Sequence, residues 1–141
     1  MKFNLKVYCE KTRLKDIREF ITEKLKAYVH DDLEINQMVL AVDEICANLI
    51  IHSNYCNANE AINLVIVVEK DGVTFEISDE GEKFDIKKYK EPSIQEVVQA
   101  KKKGGIGLML VRRIMDKVEF VNKEQKNTCI MHKRFHHDLN Q

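Results

Sequence analysis

Glu44, Asn48 and His52 stand four residues apart in the stretch INQMVLAVDEICANLIIH, residues 35–52. Side chains at that spacing climb one flank of an α-helix. A carboxylate can take a proton and a carboxamide oxygen is a hard ligand suited to Mg²⁺, so Glu44 and Asn48 one turn apart can serve one site. The same pattern also fits the solvated edge of an ordinary amphipathic helix, so other residues must decide. Gly81, Gly104, Gly105 and Gly107 stand at two loops that bracket a lysine-rich segment. Glycine is needed where backbone takes positive φ or lies against a ligand. The run Gly104-Gly105-Ile106-Gly107 also leads into a helical pattern, and a helix N-terminus offers unpaired N–H groups to phosphate. Between the two loops, residues 83–103 hold seven lysines against three acids. Together these features fit a nucleotide cradle, although neither G-x-x-x-x-G-K-[ST] nor a strand-linked G-x-G-x-x-G is present.

These residues need elements to hold them. Ile35, Met38, Val39, Val42, Ile45, Cys46 and Leu49 recur at three- and four-residue steps, which predicts one amphipathic helix over 35–52 with its apolar face in the core. Upstream, Phe3, Leu5 and Val7 alternate as in a half-buried strand. Leu14, Ile17, Ile21, Leu25 and Tyr28 mark a first helix with Thr12 as its N-cap, and His30 to Glu34 reads as a polar turn. In INLVIVVEKDGVTFEIS, two β-branched runs flank Lys70-Asp71-Gly72, a strong hairpin signal. Asp79 to Asp85 is then a loop, and Ile94 to Val98 supports at most a short helix. Leu108 to Asp116 reads as a third helix with Leu108, Leu110, Val111, Ile114 and Met115 inward. Val118 to Asn122 and Thr128 to Phe135 read as a second strand pair. The order contains no regular β-α-β alternation. The expected fold class is therefore α+β, a two-layer sandwich with a mixed, mostly antiparallel sheet and helices on one face.

Composition narrows the partners. A chain of 141 residues suits a single domain, 1–141. Lys+Arg and Asp+Glu balance at 23 each, so no overall field draws in nucleic acid or an anionic membrane. Charges interrupt the N-terminus every few residues, and no run has the length of a signal-peptide core or a membrane span, which predicts a cytoplasmic protein. Cys9, Cys46, Cys56 and Cys129 form no C-x-x-C pair, as expected of reduced structural thiols. His52 with Cys56 and His132 with His136 have helical zinc spacing, but neither has a second ligand pair.

Glu44-x-x-x-Asn48-x-x-x-His52, then Asp79-Glu80-Gly81-Glu82-Lys83-Phe84-Asp85, then Gly104-Gly105-Ile106-Gly107-Leu108 resemble, in order, the N box and two glycine boxes of Bergerat-fold (GHKL) ATPases. In its compact form the chain is similar to bacterial anti-sigma factor serine kinases, which inhibit a sigma factor and phosphorylate an antagonist. The resemblance covers residues 35–116 and implies ATP and Mg²⁺ as cofactors. It implies that Asn48 binds Mg²⁺ and that Glu44 receives the proton of an attacking serine hydroxyl. Asp79 resembles the buried carboxylate that accepts the adenine amino group. Gly81 would let the backbone pass close to the base, and Gly105 and Gly107 would let the phosphates rest on the third helix. Phe84, Lys103, Gly104, Ile106 and Leu108, in the same boxes, complete the implied nucleotide-binding set. Residues 86–103 would form a lid, with Lys101, Lys102 and Lys103 nearest the γ-phosphate. His52 either orients Glu44 or closes the helix end. Three positions depart from the family pattern: Ser53 replaces a small Gly or Ala, Lys83 a Gly or Pro, and Asn127-Thr128 a Gly-Thr turn.

The resemblance thus implies an ATP-dependent protein serine kinase acting as a partner-switching anti-sigma factor. Its implied partners are a sigma factor, a STAS-domain anti-anti-sigma factor as substrate, and a second copy in a homodimer, with no direct contact to nucleic acid or membrane. The alternative is a nucleotide-binding interaction module without kinase activity. Glu44 favours the kinase, because nucleotide binding needs Asn48 and Asp79 but has less use for a base.

Overall fold

In β2, Ala61–Val68, every second side chain from Ile62 to Val68 is buried, because successive strand residues point to opposite faces. The same alternation runs through β1, Lys2–Tyr8, and β3, Gly72–Asp79. With β4, Lys117–Lys123, and β5, Lys126–Arg134, they form a five-stranded sheet in the order β1-β2-β3-β5-β4, antiparallel at each pairing. This is a computed structural model, and it describes residues 1–53, 57–79, 107–123 and 126–135. The expected α+β sandwich is the observed one.

Register decides what each row of the buried face contains. Leu64, Ile77 and Cys129 lie side by side across β2, β3 and β5, and Ile66, Phe75 and Met131 form the next row. At the far end the row turns polar, with Ile62 beside Asp79 and Asp79 beside Asn127. Among the described residues three helices lie on this face: α1, Leu14–Leu25, α2, Asp32–Asn48, and α3, Gly107–Ile114. α2 packs between α1 and α3 and also touches β3. Ile17, Ile21 and Leu25 from α1 and Met38, Val42 and Ile45 from α2 are fully buried against the sheet. Burial of that kind contributes about 1.5–3 kcal/mol for each large side chain.

Several local expectations are corrected. Thr12 does not cap α1: it lies inside a 3₁₀ turn, Lys11–Arg13, and α1 follows directly with Arg13 in a helical conformation and no side-chain cap. α1 stops at Leu25, and the buried side chain beyond it is Val29, whereas Tyr28 is exposed with its ring 6.3 Å from that of Phe3. His30 to Glu34 is not all turn. Asp31 accepts the N–H of Leu33 at 2.9 Å, so the helix begins at Asp32. Glu34 is thereby drawn into the buried side of the first turn, where Oε1 has no hydrogen-bond partner among the described residues. At its other end α2 is regular only to Asn48, and Leu49–Ser53 continues as a π-helical turn. The third helix is also shorter than expected. Met115 still bonds to Val111 through its N–H, while Asp116 turns the chain into β4 by accepting the N–H of Arg134.

The hairpin between β2 and β3 forms where Asp71-Gly72 predicts it, with the Glu69 N–H donating to the Gly72 carbonyl at 2.9 Å. Space, not turn geometry, fixes the glycine: a Cβ on Gly72 would lie 2.6 Å from the Lys133 carbonyl oxygen and 3.0 Å from the His132 ring. Gly72→Ala must push β5 away from β3. It should destabilise the protein by about 1–3 kcal/mol, seen as a lower urea midpoint at unchanged slope.

Candidate functional site

The polar end of the buried sheet face holds one of the predicted site residues, Asp79. Asp79, last in β3, is completely buried, a position a carboxylate holds only with donors around it. The Asn127 amide, 4% exposed, supplies one, with Nδ2 3.0 Å from Asp79 Oδ1. A carboxylate can only accept, so the amide must turn its NH₂ to it, and the contact fixes the orientation of both groups. The strand expected from Thr128 starts earlier, so Asn127, read as part of the connection, lies with Thr128 within β5, and both are buried. Sequence reading missed the role of Asn127. The signal was present, because stepping back by two from Met131 and Cys129 puts a carboxamide on the core face, where it requires a partner.

Glu44 and Asn48 are both half-buried on α2, one turn apart. Across from them α3 begins at Gly107, whose φ of 69° is the left-handed conformation that favours glycine. A Cβ there would meet no described atom within 4 Å, so conformation and not crowding selects the residue. The Gly107 N–H lies near enough to the Glu44 carboxylate to favour its charged form, and α2 packs against α3 there, bringing the helix of the first box to the start of the helix after the last. Burial raises the Glu44 carboxyl above its ordinary value of 4.5, the neighbouring Asp43 charge raises it further, and the Gly107 N–H opposes both. Burial likewise pushes the Cys129 thiol up to about 12 and raises that of Cys46, which keeps both in the unreactive thiol form.

The structure therefore brings Glu44 and Gly107 together, sets Asn48 a turn beyond Glu44, and places Asp79 at the end of a strand that α2 touches. Leu108, the second residue of α3, is buried on its inner face. Gly81, Phe84, Lys103, Gly104, Gly105, Ile106 and the expected lid at 86–103 lie outside the described residues, as does the side chain of His52.

A family model described as a histidine kinase-like ATPase domain matches residues 8–133, a span that holds Glu44, Asn48, Asp79 and Gly107. This chain belongs to that family. Among curated relatives of this ATPase domain, it is 31% identical over 93 residues to the serine-protein kinase RsbW of Oceanobacillus iheyensis, covering 63% of this chain and 59% of the relative. It is 29% identical over 112 residues to the RsbW of Halalkalibacterium halodurans, covering 77% and 65%. The matches thus span somewhat under two-thirds of those relatives' lengths. The fold is also that of a crystal structure of the RsbU and RsbW domains of Rv1364c from Mycobacterium tuberculosis, with a TM-score of 0.66 at 13% identity over 95% of this chain and 32% of that one. Among the described residues no helix is long and apolar enough to cross a membrane.

Two outcomes follow for stability. Asn127→Ala removes a donor from a buried carboxylate and should cost about 1.5–3 kcal/mol by urea denaturation. Glu44→Gln should act in the opposite direction. Because the folded state holds the Glu44 proton more tightly than the unfolded chain, the native protein loses stability as pH rises from 4.5 through the raised value. The Gln variant should therefore melt at a higher temperature than wild type at pH 7, with the gain fading as pH falls below the ordinary carboxylate range.

Proposed function

We propose that this protein is an ATP-dependent protein serine kinase that acts as a partner-switching anti-sigma factor and phosphorylates a STAS-type antagonist protein. One observation carries the reading: the packing of α2 against α3 sets the Glu44 carboxylate near the Gly107 N–H at the mouth of α3. A base is thus held where a helix N-terminus would receive phosphate. Similarity to serine-protein kinases named RsbW supports the same chemistry. Cytoplasmic location, a homodimer and a sigma-factor partner belong to this reading.

The donor set fits a magnesium nucleotide. Asn48 supplies a hard oxygen ligand for Mg²⁺, and Asp79, oriented by Asn127, supplies an acceptor for the adenine amino group. Gly81 and Phe84 would border the base, and Lys103, Gly104, Gly105, Ile106, Gly107 and Leu108 the phosphates. Bound Mg²⁺ would neutralise charge on the transferring phosphoryl group. The residues of this chain do the rest. Glu44 accepts the proton of the serine hydroxyl as its oxygen bonds to the γ-phosphorus, and the bond to the bridging oxygen of ADP breaks. A raised Glu44 suits that task, since a base that holds its proton more tightly pulls harder on a hydroxyl.

The test is to incubate the purified protein with labelled ATP and candidate STAS-domain antagonists and to look for phosphoserine. Glu44→Ala should abolish transfer, by a factor of roughly 10² or more, while leaving Mg·ATP binding largely intact. Asp79→Asn should weaken nucleotide binding itself, read by calorimetry. Wild-type rates in Glu44→Ala would remove Glu44 as the base, and binding without transfer by the wild type would favour an interaction module.

A further inference from the structure

α2 is apolar on more than its core face. Leu33 and Leu40 are 65% and 41% exposed, and Met1 aside no other large aliphatic side chain among the described residues is so open to water. The exposed positions between them, Asn36 and Gln37, carry no charge, in a chain of which 33% is charged. α1 shows the ordinary pattern: its exposed positions, Lys15, Asp16, Arg18, Glu19 and Glu23, are all charged. A solitary exposed leucine needs no explanation, but two on one flank with no charge between them have the composition of an interface centre. The fold gains little from either, because much of their surface stays in water.

Position on the helix says what this flank meets. At about 100° per residue, Leu33, Leu40 and Asn48 each lie within about 40° of Glu44 around the α2 axis. At about 1.5 Å per residue, Leu40 precedes Glu44 by roughly 6 Å and Leu33 by roughly 16 Å, while Asn48 follows it by roughly 6 Å. The proposed base thus stands between the proposed Mg²⁺ ligand on one side and an apolar track on the other. A group that moves from nucleotide to protein must have its donor and its acceptor on different sides of that point. The nucleotide takes the Asn48 side, which leaves the side of Leu40 and Leu33 to the acceptor. Size agrees: a standard interface covers about 800 Å² on each partner, a disc of roughly 16 Å radius, so one centred on Glu44 reaches both leucines. We propose that Leu33 and Leu40 are the docking surface for the STAS-type protein substrate, which meets them with an apolar patch roughly 6–16 Å from its acceptor serine. The proposal rests on Glu44 as the base of a protein kinase and adds which face of the chain the substrate covers.

The test replaces both leucines at once, Leu33→Gln with Leu40→Gln, in the full chain. Both positions face water and glutamine is a good helix former, so the urea midpoint and the affinity for Mg·ATP should match wild type. KM for the STAS-domain antagonist that the wild type phosphorylates should rise roughly tenfold or more, with kcat within about twofold. Leu33→Met with Leu40→Met, which keeps the surface apolar, should restore KM to within about threefold of wild type. Calorimetry with candidate STAS-domain antagonists reads docking without transfer, and the Gln pair should weaken that binding by the same factor as KM. An unchanged KM in the Gln pair overturns the docking surface and leaves the kinase reading intact. So does an unchanged KM accompanied by lost self-association in sedimentation, which would give the flank to a second copy of the chain. Antagonist binding that the Gln pair weakens, with no phosphoserine formed by the wild type, would instead sink the kinase reading and keep the docking surface.

Discussion

The packing of α2 against α3, which sets the Gly107 N–H near the Glu44 carboxylate, is the constraint on which the arrangement of the site depends. It joins two helices that are 63 positions apart at these residues, and neither helix alone could hold the geometry. α2 is kept in place by its buried face, where Met38, Val42 and Ile45 have no exposure, and α3 by Leu108, Val111 and Ile114. The sheet is the common floor beneath them. Because packed cores resist displacement, half-buried groups at their rim inherit that rigidity.

The elements were legible in the sequence because hydrophobic spacing is a direct consequence of which side faces the core. Alternation in β2 and β3 and three- and four-residue steps in α2 and α3 gave strand, helix and inward face correctly. The errors cluster at ends. Thr12 looks like a cap by residue type, but a 3₁₀ turn satisfies the backbone there instead, and Tyr28 loses the inward position to Val29 once α1 has stopped. Glu44, Asn48 and Asp79 could be singled out because their types and spacing match a recognisable pattern. Asn127 could not be singled out in that way. Its partner, Asp79, is 48 residues away, and that pairing becomes visible only when strand register is known.

The same end of the molecule carries an energetic penalty. Asp79 is fully buried, Glu44 is raised by desolvation, and Asn127 and Thr128 occupy core-facing or shielded positions that an apolar side chain would fill more favourably. An unpaired buried charge costs several kcal/mol, and a hydrogen bond to a charged group recovers about 1.5–3 kcal/mol. Compensation must come from the apolar rows elsewhere, centred on Phe75, Leu64, Ile66 and Met131. On the buried face of the sheet Asp79 and Asn127 lie at one end and Lys133 at the other, with apolar rows between them. Such a division lets a reactive site exist without dividing the core.

The π-helical turn at Leu49–Ser53 belongs to this division of labour. A widened turn rotates every later side chain about the helix axis relative to α-helical spacing. Set before Glu44, it would turn the carboxylate away from Gly107. Set after Asn48, it leaves the step between carboxylate and carboxamide intact, and the changed ladder begins only at the next residue. Leu49 shares its N–H between the Cys46 and Ile45 carbonyls, and both Leu49 and Ile50 remain buried, so the change of pitch opens no gap in the core. The four-residue rule that places Asn48 therefore does not extend to residue 52, and the spacing that matters is the one held by regular backbone.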